Sequence, residues 1–210
     1  VLSFSRGLHK YVRNQLNSKW GIAVPTIHLP DSTLLLVGVG GIGKETARLC
    51  KEFGMKVFGI DPKTTELDNI IEKIYIPSHL EQILPKADFV ISTVPETPDS
   101  KKMFALDQFK LMKHSAYFIN IGRGSTVSLN DLNVAISTGQ IAGAALDVFE
   151  TEPLPKNHPL WTQEDVIITP HVAAEGPYLE NRRTDIFINN CIKFNKNEPL
   201  INVVDKAQWF

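Results

Sequence analysis

The sequence predicts an α/β fold: a doubly wound, mostly parallel sheet with helices on both faces. Three observations support this. Segments typical of strands alternate with segments typical of helices. The strand segments, such as TLLLVGV at 33–39 and DFVIST at 88–93, are continuous apolar runs, which are typical of strands buried on both faces of a sheet. A glycine cluster follows the first strand and opens a helix.

The elements follow in a regular order. Apolar residues of the opening segment are spaced mostly four apart, which predicts a helix to about Trp20. The expected strands cover 33–39, 56–61, 88–93, 116–122, 142–148 and 166–170. The expected later helices are 42–53, closed by Gly54; 128–139, with Ser128 and Asp131 as a capping box; and about Tyr178 to Asn195.

The composition excludes several classes of protein. Of 210 residues, 43% are apolar and 21% charged, which is ordinary for a globular chain, and the net charge is -1. Without a basic run we expect no nucleic-acid partner, and no apolar stretch reaches the roughly 20 residues that cross a bilayer. Cys50 and Cys191 have no metal-type spacing, so we expect reduced cysteines, no metal site and a cytoplasmic protein.

The glycine cluster has the spacing of a dinucleotide-binding loop. Gly38 permits a tight turn, Gly40 lets the backbone approach a pyrophosphate, and Gly43 lets helix and strand pack closely. The motif alone is weak, but here a strand precedes it and a helix follows, so that the free N–H groups of the helix face the phosphates. The sequence therefore predicts a Rossmann-type domain.

An acidic residue supports the choice of cofactor. Asp61 ends the second predicted strand, 18 residues after Gly43, close to the interval of about 20 expected for a ribose-binding acid. A carboxylate there accepts hydrogen bonds from both ribose hydroxyls and repels a 2′-phosphate. We therefore expect NAD rather than NADP. The alternative is that Asp61 merely ends a strand.

Four segments, in order, make the chain resemble a known family. VGVGGIG, INIGRGSTV, GAALDVFETEP and TPHVAA are similar to the signature segments of the D-isomer-specific 2-hydroxyacid dehydrogenases, and the resemblance covers nearly the whole chain. It implies an oxidoreductase that transfers a hydride between NAD(H) and a 2-keto acid or D-2-hydroxy acid. A different function, an NAD(H)-sensing regulatory or corepressor protein on the same scaffold, stays open as the alternative.

The resemblance assigns the catalytic residues, and their chemistry suits the roles. Arg123 is the residue that binds the substrate carboxylate, since a guanidinium binds carboxylates bidentately. His171 is the acid/base, because imidazole exchanges protons near neutral pH. Glu152, which directly precedes Pro153, orients that histidine. Glu150 is expected to be a solvated neighbour, with the reverse assignment of the two glutamates left open.

The remaining cofactor contacts also follow from the resemblance. Asp147 corresponds to the residue that bonds the nicotinamide carboxamide, and Ser128 stands where many members have Asp but is expected still to cap its helix. The full expected cofactor-binding set is Gly38, Gly40, Gly41, Ile42, Gly43, Asp61, Thr93, Val94, Pro95, Ile121, Gly122, Arg123, Asp147, His171, Ala173 and Ala174.

We expect three parts in the chain. Residues 1–25 form an interdomain or dimerisation helix and linker, 26–176 the NAD-binding domain, and 177–210 a C-terminal helix and tail that return toward a substrate lobe. The resemblance implies a homodimer and a further N-terminal lobe of on the order of 100 residues, which we expect to be missing from this chain. We therefore expect this chain alone to bind NADH but to turn over slowly.

Overall fold

The computed structural model describes residues 1–21, 23–63 and 69–206. The chain divides into two compact units, Val1–Pro170 and His171–Phe210. The first unit holds the sheet, and the second contains a long helix. The expected boundaries at residues 25 and 176, and the role of the opening segment in dimerisation, stay predictions.

The first unit is built on a parallel sheet. The described part of the chain forms seven strands in the order β3-β2-β1-β4-β5-β6-β7, and each pair of neighbours is parallel. The predicted α/β class is confirmed. The strands are β1 Thr33–Val37, β2 Lys56–Ile60, β3 Lys73–Tyr75, β4 Phe89–Ser92, β5 Tyr117–Asn120, β6 Gly143–Leu146 and β7 Val166–Ile168.

Among the described residues, two helices precede the strands, four connect them and one follows them. In the first unit they are α1 Leu2–Ser5, α2 Leu8–Leu16, α3 Gly41–Glu52, α4 Leu80–Ile83, α5 Leu106–Leu111 and α6 Leu129–Ser137. The second unit contains α7 Leu179–Asn195. Short 3-10 turns lie at 29–31, 77–79, 84–86, 124–126 and 159–162.

Both faces of the sheet are buried, which explains the continuous apolar strands. Successive side chains of β1 point to opposite faces: Leu35 belongs to the core under α5 and α6, whereas Leu34 and Leu36 belong to the core under α3. All three are fully buried. A strand with two buried faces needs apolar residues at every position, so its sequence cannot alternate.

The opening helix is shorter than predicted and is broken. Gly7 has a φ of 65°, which ends α1 and starts α2, and α2 ends at Leu16 instead of Trp20. A Cβ at Gly7 would lie 2.8 Å from a methyl group of Val24, so the loop after α2 occupies the space beside Gly7. The fourfold apolar spacing continues across the break, so it conceals the turn.

Strand β3 and helices α4 and α5 were not predicted. Strand β3 is a three-residue edge strand whose side chains are exposed or half-buried, so it has no apolar run. Helices α4 and α5 have four and six residues, too few for a clear helical period. All three are stabilised by neighbours: β3 pairs with β2, and Ile83 of α4 and Phe109 of α5 lie in the core.

The expected capping box at the start of α6 is wrong. Ser128 is the N-cap residue, but its side chain makes no capping hydrogen bond. Glu150 Oε2 instead accepts the bond from the Leu129 N–H group at 3.0 Å, and Asp131 Oδ2 accepts one from the Leu106 N–H group at 3.3 Å. The cap thus comes from a residue 21 positions later, a distance that no local motif covers.

The opening helices are fixed to the segment before β7. His9 is buried, with Nε2 3.4 Å from Asp165 Oδ1, and Lys10 Nζ lies 2.9 Å from the same oxygen. The Arg13 guanidinium donates to the carbonyl groups of Gln163 and Val166 at 3.1 and 2.9 Å. These contacts make the opening helices part of the first unit.

Tyr117 gives the first unit a testable pH dependence. Its ring stacks on Phe4 at 4.3 Å, and burial, followed by the nearby charge of Asp165, raises the pKa of its hydroxyl. A raised pKa in the folded state means that the stability contributed by the neutral phenol is present below the unfolded pKa of about 10 and is lost as the pH rises through the folded pKa.

We therefore expect the free energy of unfolding to fall between about pH 8 and about pH 11, and to fall less in Tyr117→Phe, which keeps the ring but cannot ionise. Urea denaturation at both pH values measures this. Cys50, whose thiol pKa burial also raises, contributes equally to both proteins. An equal pH effect in the two proteins would contradict the expectation.

Candidate functional site

The candidate site lies at the carboxyl edge of the sheet where the strand order reverses. From β1 the chain goes to β2 and β3 on one side, then returns to β4 on the other. In doubly wound sheets ligands bind in the crevice at this point. The loops that follow β1, β4 and β5 therefore meet there.

The glycine loop is packed closely against the loop after β4. Gly38 leaves β1 with a φ of 94°, which favours glycine, and its carbonyl oxygen accepts a 2.7 Å hydrogen bond from Thr93 Oγ1. A Cβ at Gly43 would overlap that same carbonyl oxygen. At Gly40, by contrast, a Cβ would meet nothing within 4 Å. The loop is therefore tight at its two ends and open at its middle.

The open middle of the loop coincides with the start of helix α3. Helix α3 starts at Gly41, and its N-cap residue is Gly40, which has no side chain to bond the first turn. The first N–H groups of a helix are not bonded within it, so a bound anion can accept from them. Ile42 in this turn is 59% exposed.

Asp61 follows β2 and contacts the glycine loop. Its Oδ2 accepts a hydrogen bond from the Val39 N–H group, and its Oδ1 accepts one from the Lys63 N–H group, both at 2.8 Å. Each oxygen of the carboxylate thus has a backbone donor. The bond to Val39 holds a negative charge beside the loop that begins at Gly38.

The loops after β4 and β5 touch each other. A Cβ at Gly122 would lie 2.6 Å from the Val94 carbonyl oxygen and 3.0 Å from its nitrogen. Ile121 donates its N–H to the carbonyl of Ser92, and the Pro95 carbonyl accepts a bond from Ser100 Oγ. The structure therefore brings together the predicted residues of these two loops.

Two buried polar side chains fix the backbone at Arg123. Asn120 accepts from the Gly122 N–H group and donates to the Arg123 carbonyl oxygen, both at 3.0 Å. Thr126 Oγ1 donates to the same carbonyl at 2.7 Å. The guanidinium is exposed and donates to the Gly122 carbonyl at 2.8 Å.

Sequence reasoning missed the roles of Asn120 and Thr126. The available signal was their polarity beside an apolar strand, since buried polar groups need hydrogen-bond partners.

The connection after β6 carries the two glutamates. Glu152 Oε1 accepts a 2.9 Å hydrogen bond from the Phe149 N–H group. A Cβ at Gly124 would overlap the backbone of Phe149, so this connection packs directly on the Arg123 loop. Asp147 is 4% exposed and accepts a 2.6 Å bond from Thr169 Oγ1, another residue that sequence reasoning missed.

The predicted histidine begins the second unit. His171 follows β7 by three residues and has a φ of 54°. Ala173 and Ala174 also belong to that unit. The first unit thus brings the Arg123 loop into contact with the Glu152 connection, while the approach of His171 to them stays a prediction.

Residues 1–173 match the family model described as D-isomer specific 2-hydroxyacid dehydrogenase, NAD binding domain. The chain belongs to this family. It is 36% identical over 203 residues to a glyoxylate reductase from Korarchaeum cryptofilum, a match that covers 94% of this chain and 60% of that protein. The chain thus spans about three fifths of that relative.

Solved structures of the dehydrogenase family share the fold. A protein from Rhizobium etli described as a "probable 2-hydroxyacid dehydrogenase", in complex with NADP, HEPES and L(+)-tartaric acid, superposes with a TM-score of 0.90 at 28% identity, covering 100% of this chain and 66% of that one. An NADPH-dependent glyoxylate/hydroxypyruvate reductase from Sinorhizobium meliloti, in complex with NADP and sulfate, gives 0.89 at 28% identity, with the same coverage.

The family assignment makes this an NAD(P)-binding domain. The two superposed structures hold NADP, so the family relationship by itself does not select NAD. Across residues 1–21, 23–63 and 69–206, no group of three or more His, Cys, Asp or Glu side chains is arranged to hold a metal ion. No helix among these residues is both long and apolar enough to cross a membrane.

We expect alanine substitutions at two positions of the glycine loop to have different effects on the stability of the protein. Gly43→Ala forces α3 away from the Gly38 carbonyl, so we expect it to lower the free energy of unfolding by about 1–3 kcal/mol. Gly40→Ala is the matched control: its φ is -74°, its Cβ meets open space, and its stability should stay within about 0.5 kcal/mol of the parent chain. Urea denaturation measures both, and equal losses would contradict this.

Proposed function

We propose that the protein is an NAD(H)-linked oxidoreductase that interconverts a small 2-keto acid and the corresponding D-2-hydroxy acid. The observation that carries the proposal is the contact between the Arg123 loop and the Glu152 connection, beside a glycine loop that leaves room for a phosphate. The named activities of the relatives, glyoxylate and hydroxypyruvate reduction, support a substrate of this class.

The first unit fits a dinucleotide by three features. Gly40 leaves open space at the start of α3 and has no side chain to bond the first N–H groups of that helix. In addition, Asp61 holds a carboxylate beside the loop. In this proposal Gly38, Gly40, Gly41, Ile42 and Gly43 hold the pyrophosphate. When bound, the nicotinamide supplies or accepts the hydride.

Asp61 supports NAD over NADP. Its carboxylate is fixed by the Val39 and Lys63 amides, so it cannot easily turn away from a ribose bound at the loop. A 2′-phosphate there would meet a negative charge, which disfavours NADP. Thr93, Val94 and Pro95 line the adenosine side, and Ile121, Gly122, Asp147, Ala173 and Ala174 lie on the nicotinamide side.

Three residues carry the chemistry in this proposal. Arg123 binds the substrate carboxylate and polarises the adjacent carbonyl group through its planar charged fork. His171 donates a proton to the carbonyl oxygen during reduction and accepts it during oxidation. Glu152 favours the protonated imidazole and orients it. A cytoplasmic location and a homodimer complete the proposal.

Turnover separates this function from a regulatory NAD(H) sensor. The full-length gene product is assayed for NADH oxidation with glyoxylate, hydroxypyruvate and larger 2-keto acids. We expect turnover with at least one small 2-keto acid. Tight NADH binding without turnover of any of them would reject the enzyme and favour the sensor.

The cofactor preference depends on one charge. Asp61→Asn keeps an oxygen that accepts the Val39 amide but removes the negative charge, so we expect the ratio of NADPH to NADH affinity to rise about tenfold, which is about 1.4 kcal/mol. Fluorescence titration of the 210-residue chain with each cofactor measures this ratio without requiring turnover. An unchanged ratio would mean that Asp61 does not face the 2′ position.

Mutation of the two proton-handling residues should give different signatures. His171→Ala removes the proton donor, and we expect the kcat of reduction to fall at least about a hundredfold. Glu152→Gln should move the pH dependence of reduction to lower pH, because an amide no longer favours the protonated imidazole. Steady-state rates of the full-length gene product across pH measure both. If Glu150→Gln moved the profile more than Glu152→Gln, the two glutamates would be assigned the wrong way round.

A further inference from the structure

Glu150 joins two parts of the candidate site that are distant in sequence. It lies in the connection after β6, two residues before Glu152. Its Oε2 accepts a hydrogen bond from the Leu129 N–H group at 3.0 Å. Leu129 is the first residue of α6. Because the Ser128 side chain makes no cap, the Glu150 carboxylate takes the place of a local capping residue.

Helix α6 starts six residues after Arg123 in the sequence. The 3-10 turn Gly124–Thr126 follows Arg123 directly and leads through Ser128 into the helix. The Arg123 carbonyl is held from within its own loop, by Asn120 and Thr126. Because only residues 127 and 128 separate this turn from α6, movement of the first turn of α6 would act on the loop that carries Arg123.

The segment Phe149–Glu150 touches both the Arg123 loop and the start of α6. Its backbone packs on Gly124, where there is no room for a Cβ, and its carboxylate bonds to Leu129. The Phe149 N–H group is in turn bonded to Glu152 Oε1 at 2.9 Å. A single dipeptide thus contacts the loop of the proposed carboxylate-binding residue and the side chain of the proposed orienting residue.

We propose that Glu150 is a positioning residue, which sets the distance between Arg123 and Glu152 by tying the start of α6 to the connection after β6. This inference rests on the proposed function and deepens it. Glu150 itself does not exchange protons with the substrate or with His171; it acts through the backbone on either side of it. Misplacement of reacting groups by about 1 Å can cost on the order of a hundredfold in rate.

Two substitutions at Glu150 separate positioning from proton chemistry. Gln keeps an oxygen that accepts the Leu129 N–H, whereas Ala removes it. We expect Glu150→Ala to raise the KM for glyoxylate and lower kcat/KM by about tenfold, and Glu150→Gln to restore both to within about threefold of the parent protein. Neither variant should move the pH profile, since no titrating group in the chemistry has changed.

Asp131 provides the matched control. Its carboxylate also accepts the N–H bond of the first residue of a helix, Leu106 of α5, at 3.3 Å. Asp131→Ala therefore removes the same kind of bond from the same side of the sheet. It should lower stability to a similar degree but leave the KM for glyoxylate and the NADH affinity unchanged.

A binding measurement makes the test independent of turnover. Oxalate, a planar dicarboxylate that resembles the substrate but cannot be reduced, is titrated into the NADH complex of the full-length gene product by calorimetry. We expect its Kd to rise about tenfold in Glu150→Ala and to stay unchanged in Asp131→Ala.

The outcomes separate the two proposals. Parent protein that reduces glyoxylate, with a Glu150→Ala variant of unchanged KM and oxalate affinity, would overturn the positioning role alone. Equal losses in Glu150→Gln and Glu150→Ala, with a shifted pH profile, would overturn it in favour of a proton-exchanging Glu150. If the parent protein reduced none of the 2-keto acids and did not bind oxalate, the proposed function would be rejected, and the positioning role with it.

Discussion

The close approach of Gly43 to the carbonyl group of Gly38 is the contact on which the candidate site depends. Because Gly43 has no Cβ, the first turn of α3 packs directly on the turn that leaves β1, and Thr93 fixes the same carbonyl from the next loop. A side chain at Gly43 would open this junction. The helix start, the acidic residue at 61 and the loop after β4 would then no longer share one crevice.

Buried polar side chains hold the rest of the site in place. Asn120, Thr126 and Asp147 are almost fully buried, and each is paired with a loop backbone or a hydroxyl group. An unpaired polar group in a core costs about 1–3 kcal/mol, so such pairs specify one loop geometry over others. The side chain of Arg123 is thus exposed, while its backbone conformation is fixed by the buried side chains of Asn120 and Thr126.

Much of the fold was predictable because its strands are buried on both faces. The runs around Leu34–Leu36 and Phe89–Ile91 could be read without knowing their neighbours, and the glycine spacing identified the first turn of α3. The break at Gly7 and strand β3 were missed. Their conformations depend on contacts, with Val24 in one case and with β2 in the other, which no local pattern encodes.

The amino-acid sequence by itself determined the α/β class, the glycine loop with Asp61 after the second strand, and membership of the dehydrogenase family. Only the tertiary structure decided that Glu150, and not Ser128, caps α6, and that the Phe149 backbone packs on Gly124. The reason is physical. Periodicity and motif spacing report interactions within a few residues, whereas a hydrogen bond between residues 21 positions apart exists only after the strands between them have aligned.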